Sequence, residues 1–225
     1  YLPPRRRARL RAKIAHVRAL TSNERLQLFP DFQQRLGVLR AAGYVDGAGD
    51  TVQLKGRVAC EVNTADELVV TEMVFENVLQ HLDPPEIAGI LSALVFQERS
   101  DNQPPLTPRL QAARASVEGI ARGLGALQAA HGLPTSPDDF AAQNLNFGLV
   151  DVVYDWARGV PFAEICQITL VQEGTIVRTV TRLDELLREV RNAARVVGDP
   201  TLYRKMEATS QLIRRGVIFC ASLYL

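Results

Sequence analysis

Apolar side chains recur at spacings of one, three and four along residues 175–197. They are Ile176, Val177, Val180, Leu183, Leu187, Val190, Ala194 and Val197. Side chains with these spacings share one side of an α-helix, so the segment predicts a long helix with one wide apolar stripe. Gly198 and Pro200 follow the segment and end the helix. Because such a stripe has to be buried against other helices, the chain is predicted to form a helical bundle.

Most of the chain after Asn63 has the same helical rhythm. The longer predicted helices span residues 67–82, 84–96, 109–131, 175–197 and 201–224. Polar, proline-rich segments at residues 97–108 and 134–137 are typical of loops. The predicted fold class is therefore mainly α, a multi-helix bundle.

Residues 29–62 have a different pattern. A short amphipathic helix is capped by Asp31 and stops at Gly43,. Two short β-type runs, residues 44–46 and 51–54, then flank a glycine-rich turn, which predicts a β-hairpin. A helix followed by a hairpin is typical of the end of a winged-helix domain. This segment is thus predicted to be a small winged-helix remnant on the N-terminal side of the bundle.

Charge is distributed unevenly along the chain. Residues 1–28 hold seven arginines and one lysine against one glutamate, so they carry +7 and the rest of the chain carries −6 within the total of +1. An acidic main body is unsuited to binding phosphates over its whole surface, so any nucleic-acid contact there must be local. A helix is predicted within residues 5–27, either as a solvated arginine-rich helix or as an RNA-binding arm.

Motifs of familiar catalytic sites are absent from the sequence. It contains no GxxxxGKS/T loop, no GxGxxG after a strand and no GxSxG elbow,. The three histidines are isolated and the three cysteines lie far apart, which argues against a zinc site,. Cys60, Cys166 and Cys220 are predicted to be small core residues. Catalytic and metal-binding residues are therefore not predicted, and no apolar run approaches the ~20 residues that span a membrane.

Several short motifs occur in order along the chain and together point to a family. They are LKGRVACEV (residues 54–62), DELVVTEM (66–73), LSALVFQE (91–98), NFGLVDVVYDWA (146–157), EGTIVR (173–178), RLDEL (182–186) and VIFCASLYL (217–225). Over residues 30–225 the sequence resembles the DSHCT domain, the C-terminal module of superkiller-type and exosome-cofactor DExH RNA helicases. The segment FPDFQQRL at residues 29–36 is more similar to the cytoplasmic superkiller branch than to the nuclear branch.

This resemblance implies an architecture for the chain. Residues 1–28 would be the end of an arch stalk, residues 29–62 the last part of a winged-helix domain, and residues 63–225 the helical bundle, or ratchet domain. Two RecA-like motor domains would lie upstream in the same protein and would bind ATP and magnesium, with no cofactor in this chain. The implied partners are single-stranded RNA, the other superkiller complex subunits and the RNA exosome. The implied location is cytoplasmic, with nuclear as the alternative.

The resemblance also implies where RNA is bound. The helix at residues 175–197 matches the family's ratchet helix, on which an arginine at the position of Arg182 approaches an RNA base. An acid at the position of Glu72 does the same from an earlier helix, and Arg178 is a neighbouring candidate one turn from Arg182. An arginine there can stack on a base or bind a phosphate through two hydrogen bonds.

Two alternatives remain open at the level of sequence. Arg188 is spaced to pair with Asp184 and Glu185, so the charged side of this helix can be a solvated face of mixed charge,. The bundle as a whole can also be a protein-interaction scaffold with little RNA contact, which the net charge of −6 favours.

Overall fold

The computed structural model describes residues 6, 10–14, 29–47, 51–98 and 105–220. From residue 29 onward its α-helices are α1 (Phe29–Ala41), α2 (Leu54–Ala59), α3 (Glu67–Phe75), α4 (Pro84–Ser92), α5 (Pro108–Ala130), α6 (Pro137–Asn144), α7 (Val150–Ala157), α8 (Phe162–Ile168), α9 (Glu173–Val197) and α10 (Pro200–Ile213). Short 3₁₀ helices cover Phe147–Leu149 and Gly216–Phe219. None of the described helices is both long enough and apolar enough to cross a membrane.

The long helix α9 lies along the bundle and buries the apolar stripe that the sequence predicts. Its buried side chains include Ile176, Val180, Leu183, Leu187 and Val190. The helix packs most extensively on α10, and it also contacts α2 and α4. Gly198 ends it in a left-handed conformation (φ 84°), from which its N–H bonds to the carbonyls of Ala194 and Arg195,. The predicted mainly α-helical bundle is confirmed.

The predicted β-hairpin needs correction. In the described part of residues 29–62, Val45 and Val52 form a single antiparallel bridge and no strand is present. The second predicted run instead leads into α2, which begins at Leu54. Gly56 permits the close packing of α2 on this bridge, because a Cβ at that position would lie 2.5 Å from the carbonyl oxygen of Tyr44. A helix can approach the bridge this closely only where the side chain is absent.

Three predicted helices end earlier than expected. Helix α3 stops at Phe75, and Asn77 follows with a positive φ of 58°, so the helix does not reach residue 82. Helix α4 gives way to turns after Ser92 rather than reaching residue 96. The last helix stops at Ile213, whose carbonyl accepts a hydrogen bond from Trp156 Nε1 at 2.9 Å. The expectation for residues 221–225 lies outside the described residues.

Trp156 and the three cysteines also have defined positions. Trp156 is 1% exposed and anchors the core. The cysteine prediction is wrong for Cys60 and Cys220, which are exposed, whereas Cys166 is half-buried and packs against the core. Cys60 directly follows α2, and Cys220 follows the second 3₁₀ helix, in which no residue is buried. The predicted stalk at residues 1–28 lies outside the described residues except for residues 6 and 10–14.

Candidate nucleic-acid interface

A surface groove lies where four segments of the bundle meet, and Arg182 lines it. Its walls are residues 63–66 before α3, residues 94 and 96–98 after α4, and residues 142–146 at the end of α6. Its volume is about 720 Å³, within the range of sites that hold small ligands. The groove walls are mostly polar side chains and exposed backbone, which suits hydrogen bonding.

Arg182 contributes an available guanidinium to this groove. Its side chain is half-buried, and its Nη2 lies 3.5 Å from the carbonyl oxygen of Thr64. The other arginines of α9 have partners: Arg178 pairs with Glu98, Arg188 lies near Asp184, and Arg191 and Arg195 lie over the ring of Tyr203. Among the residues that the structure describes, Arg182 pairs with no carboxylate and lies over no aromatic ring. Its remaining N–H groups can therefore bind a ligand.

Glu189 fixes the backbone segment opposite Arg182. Its Oε2 accepts hydrogen bonds from the backbone N–H groups of Asn63 and Thr64, each at 3.0 Å, and its Oε1 accepts one from Thr64 Oγ1 at 2.8 Å. The same Thr64 supplies the carbonyl that faces Arg182. Glu189 thus positions one wall of the groove. Sequence reasoning missed this residue, and its only signal is an acid two turns after Arg182 on the same side of α9.

Asp66 lies in the groove wall and caps α3. Its Oδ1 accepts hydrogen bonds from the N–H groups of Leu68 at 3.1 Å and Val69 at 2.9 Å. Burial raises the pKa of the Asp66 carboxyl above its ordinary value, and the two N–H bonds oppose that rise,. The Asp66 carboxyl group therefore lies in the same wall that Arg182 contacts. Because it is buried, its ionised form is less stable than that of an exposed aspartate.

Glu72 lies in a shielded cluster and does not line the groove. Its Oε1 is 2.6 Å from Lys55 Nζ and accepts a hydrogen bond from Tyr44 Oη at 2.9 Å. Burial, together with the charge of Glu72, raises the pKa of the Tyr44 hydroxyl, so it stays protonated as a donor. The side chain of Glu72 is 13% exposed. Its predicted contact with RNA stays a prediction, and the contacts that it makes here are with protein.

Arg178 lies one turn before Arg182, at the end of the groove. Its side chain is 68% exposed and its Nη2 lies 3.2 Å from Glu98 Oε1 and 2.7 Å from Thr175 Oγ1. Glu98 also lines the groove. The structure therefore brings Arg178 and Arg182 together on one side of α9, with Arg178 already neutralised by an acid.

The expected solvated face of mixed charge is wrong for Asp184, which is 4% exposed. Its carboxylate accepts a hydrogen bond from Ser210 Oγ and lies 3.8 Å from both Arg188 Nε and Arg214 Nε. Because Ser210 and Arg214 come from α10 and the residue after it, Asp184 joins the two helices. The described residues contain no group of three His, Cys, Asp or Glu side chains that could hold a metal ion.

Comparison with known proteins defines the class of this chain. The family model of the DSHCT (NUC185) domain matches residues 49–220. The chain therefore belongs to the DSHCT (NUC185) domain family, as its motifs suggested.

Several curated relatives are similar to most or all of the chain. The DExH-box ATP-dependent RNA helicase DExH11 of Arabidopsis thaliana is 49% identical over 90% of this chain. The human Superkiller complex protein 2 is 45% identical over 100% of it, and the human Exosome RNA helicase MTR4 is 38% identical over 85%. The matched regions are 15% of DExH11 and 18% of each human protein. The chain thus spans less than a fifth of the length of these relatives.

Proposed function

We propose that this chain is the C-terminal RNA-guiding domain of an ATP-dependent 3′-to-5′ RNA helicase that acts in exosome-linked RNA decay. Membership of the DSHCT family and the names of its helicase relatives support this role. The observation that carries it is the arginine at the rim of the groove, which has no carboxylate partner among the described residues. Such a guanidinium can bind a phosphate or stack on a base of a single strand.

The proposed mechanism is mechanical. RNA leaving the motor passes the groove, where Arg182 holds the strand and Arg178 is a second contact. Glu72, which lies outside the groove walls, would be a third contact. Helix α9 is buried along its apolar side, so it resists displacement when the strand pulls on Arg182. A contact of this kind would limit backward slippage between cycles of ATP hydrolysis.

The rest of the proposal concerns the whole protein. Residues 1–28 would end an arch stalk, residues 29–62 a winged-helix domain, and residues 63–225 would be the ratchet bundle. RecA-like motor domains elsewhere in the protein would bind ATP and magnesium. Superkiller complex subunits and the RNA exosome would be the partners, in the cytoplasm. The higher identity to Superkiller complex protein 2 than to Exosome RNA helicase MTR4 supports that branch over the nuclear alternative.

This role is tested by measuring unwinding and ATP turnover in the full-length helicase, for wild type and for Arg182→Ala. Loss of the strand contact should lower unwinding more than ATP turnover, because the ATPase site lies in other domains. Arg122→Ala is the control, since Arg122 is exposed on α5 and pairs with Asp138 at 2.9 Å. Equal losses of both activities in the Arg182 variant would contradict the role.

A protein-interaction scaffold is the second candidate function, and the net charge of −6 over residues 29–225 favours it. In that case the bundle surface binds partner subunits and RNA binding by the full-length protein does not depend on Arg182. The scaffold would be favoured if Arg182→Ala leaves the affinity for single-stranded RNA unchanged and the complex assembles normally.

A further inference from the structure

A second pocket lies at the corner between α9 and α10. It is lined by Ala194, Arg195, Gly198, Asp199, Pro200, Tyr203 and Arg204. Its volume is about 710 Å³, which is enough for a nucleotide and larger than a lone phosphate needs. One wall is apolar and aromatic, and the other carries guanidinium groups.

Two arginines lie over Tyr203 at this pocket, and a third lines it. The guanidinium carbons of Arg191 and Arg195 lie 5.6 and 5.8 Å from the centre of the Tyr203 ring. Arg204 lines the pocket beside Tyr203, and its Nε donates to the Pro200 carbonyl oxygen at 3.2 Å, which leaves its other N–H groups available,. None of the three pairs with a carboxylate in the part of the chain that the structure describes, and the buried Nε of Arg191 has no hydrogen-bond partner. The positive charges of Arg191 and Arg195 over one ring repel each other, so an anion bound beside Arg195 would stabilise the site,.

The nearby acids do not cancel this charge. Asp199 lines the pocket, but its Oδ1 already accepts hydrogen bonds from the N–H groups of Thr201 and Leu202 at the start of α10. Glu207 is half-buried one turn after Tyr203 and forms no ion pair within the described residues. The pocket is thus a local positive site on a main body whose net charge is negative.

The pocket is separate from the groove at Arg182. Nine residues separate Arg182 from Arg191, and each residue turns an α-helix by about 100°, so their side chains leave α9 on opposite sides. Thirteen residues separate Arg182 from Arg195, which corresponds to about 20 Å along the helix axis. A ligand in this pocket therefore makes contacts that do not depend on Arg182.

We infer that this pocket binds one nucleotide of single-stranded RNA, as a second RNA contact of the domain. A phosphate lies between Arg195 and Arg204, whose planar donors suit bidentate phosphate binding. The sugar and base pack on Tyr203 and Pro200. An acidic peptide is disfavoured because its carboxylates would leave the Tyr203 ring without a flat base to stack on it,. The inference rests on the proposed function in that RNA is the ligand.

Salt dependence of RNA binding by the full-length helicase tests the inference. Affinity for a labelled single-stranded RNA is measured between about 50 and 200 mM salt for wild type, Arg195→Ala/Arg204→Ala, Arg182→Ala and the control Arg122→Ala. The double variant should bind more weakly, and its slope of log K against log salt should fall by about 0.7 for each lost phosphate contact. Arg195→Lys/Arg204→Lys should recover most of the slope, because it restores the charge, but less of the affinity.

The outcomes separate this inference from the proposed function. If only Arg182→Ala changes the slope, the second contact is refuted while RNA guiding stands. If neither variant differs from the control, both ideas fail. A double variant that binds RNA normally but loses a protein subunit assigns the pocket to an acidic partner and overturns the inference. In another outcome, the double variant loses binding of a fluorescent nucleoside monophosphate while its RNA binding is unchanged. That result would assign the pocket to free nucleotides and would also overturn the inference.

Discussion

Lys55 Nζ lies 2.6 Å from Glu72 Oε1, and the two side chains are only 22% and 13% exposed. Tyr44 Oη donates to the same oxygen at 2.9 Å, and Lys55 Nζ also donates to the carbonyl of Ala42 at 3.2 Å. This cluster joins the turn after α1, helix α2 and helix α3. Glu72 therefore has a structural role whether or not it also touches RNA.

Lys55→Met should destabilise the chain by about 2 kcal/mol, because it leaves a shielded carboxylate without its cation. Replacing both partners in Lys55→Met/Glu72→Leu should cost less than that, since no charge remains and Tyr44 Oη can still donate to the Leu68 carbonyl at 3.3 Å. Urea unfolding of the chain measures both. A double variant less stable than the single one would contradict this explanation.

Gly56→Ala should destabilise the chain by about 1–3 kcal/mol, because its Cβ would press on the Tyr44 carbonyl and on Val52, and backbone moves little,. Gly123→Ala is the matched control in α5, where a Cβ meets nothing within 4 Å. It should stabilise the chain by about 0.5–1 kcal/mol through better helix propensity. Thermal unfolding of both variants measures their stabilities. Equal changes in stability would contradict the close approach of Gly56 to Tyr44.

Two substitutions of Asp66 should separate the effect of its capping hydrogen bonds from the effect of its charge. Asp66→Ala removes the cap of α3 and should cost about 1 kcal/mol, whereas Asp66→Asn keeps a good cap and should stay within about 0.5 kcal/mol of wild type. Urea unfolding at neutral pH measures both variants. An asparagine variant as unstable as the alanine variant would show that the charge, and not the cap, matters.

The pH dependence of stability should also change in Asp66→Asn. Because burial raises the folded-state pKa of Asp66, its contribution to stability is greatest below the ordinary value of 3.8 and is lost as pH rises through the raised value,. The asparagine variant should lack this decrease. Unfolding free energies measured across that window in both proteins test the sign, and a steeper decrease in the variant would contradict it.

Glu189→Ala should weaken RNA binding without removing any residue that is proposed to touch RNA. It frees residues 63 and 64 from α9, so the groove wall opposite Arg182 loses its fixed position, at a cost of about 2 kcal/mol in stability. Glu185→Ala is the control, an exposed acid on the same helix. Affinity of the full-length protein for single-stranded RNA is the readout. Equal affinities of the two variants would show that Glu189 does not position the groove.

Features set by local sequence could be predicted. Helix α9 was recognised because its apolar stripe and the glycine that ends it, Gly198, are local features of the sequence. Its observed start at Glu173 differs from the predicted start by two residues. Helix α5 was recognised for the same reason, with Thr107 capping its start. Trp156 lies in the largely apolar run at residues 149–157, which is a local signal for burial, and it is 1% exposed.

Features that depend on distant partners could not be predicted. The second expected β run pairs only at Val52, and α2 begins at its last residue, Leu54. The close packing of Gly56 on Tyr44, 12 residues earlier, has no signal in a short stretch of sequence. Asp184 is buried because Ser210, 26 residues later, reaches it. Arg178 is neutralised by Glu98, 80 residues earlier, whereas the pairs considered from sequence were three or four residues apart. Which arginine of α9 keeps available donors therefore follows from tertiary packing.

Photocrosslinking from position 182 tests the central claim most directly. A photoreactive amino acid replaces Arg182 in the full-length protein, and Arg122 in a control, with labelled single-stranded RNA and ATP present. If RNA passes the groove, position 182 should crosslink to RNA and position 122 should not. Crosslinks from position 182 that reach only protein subunits, with RNA bound elsewhere on the helicase, would contradict the proposed role.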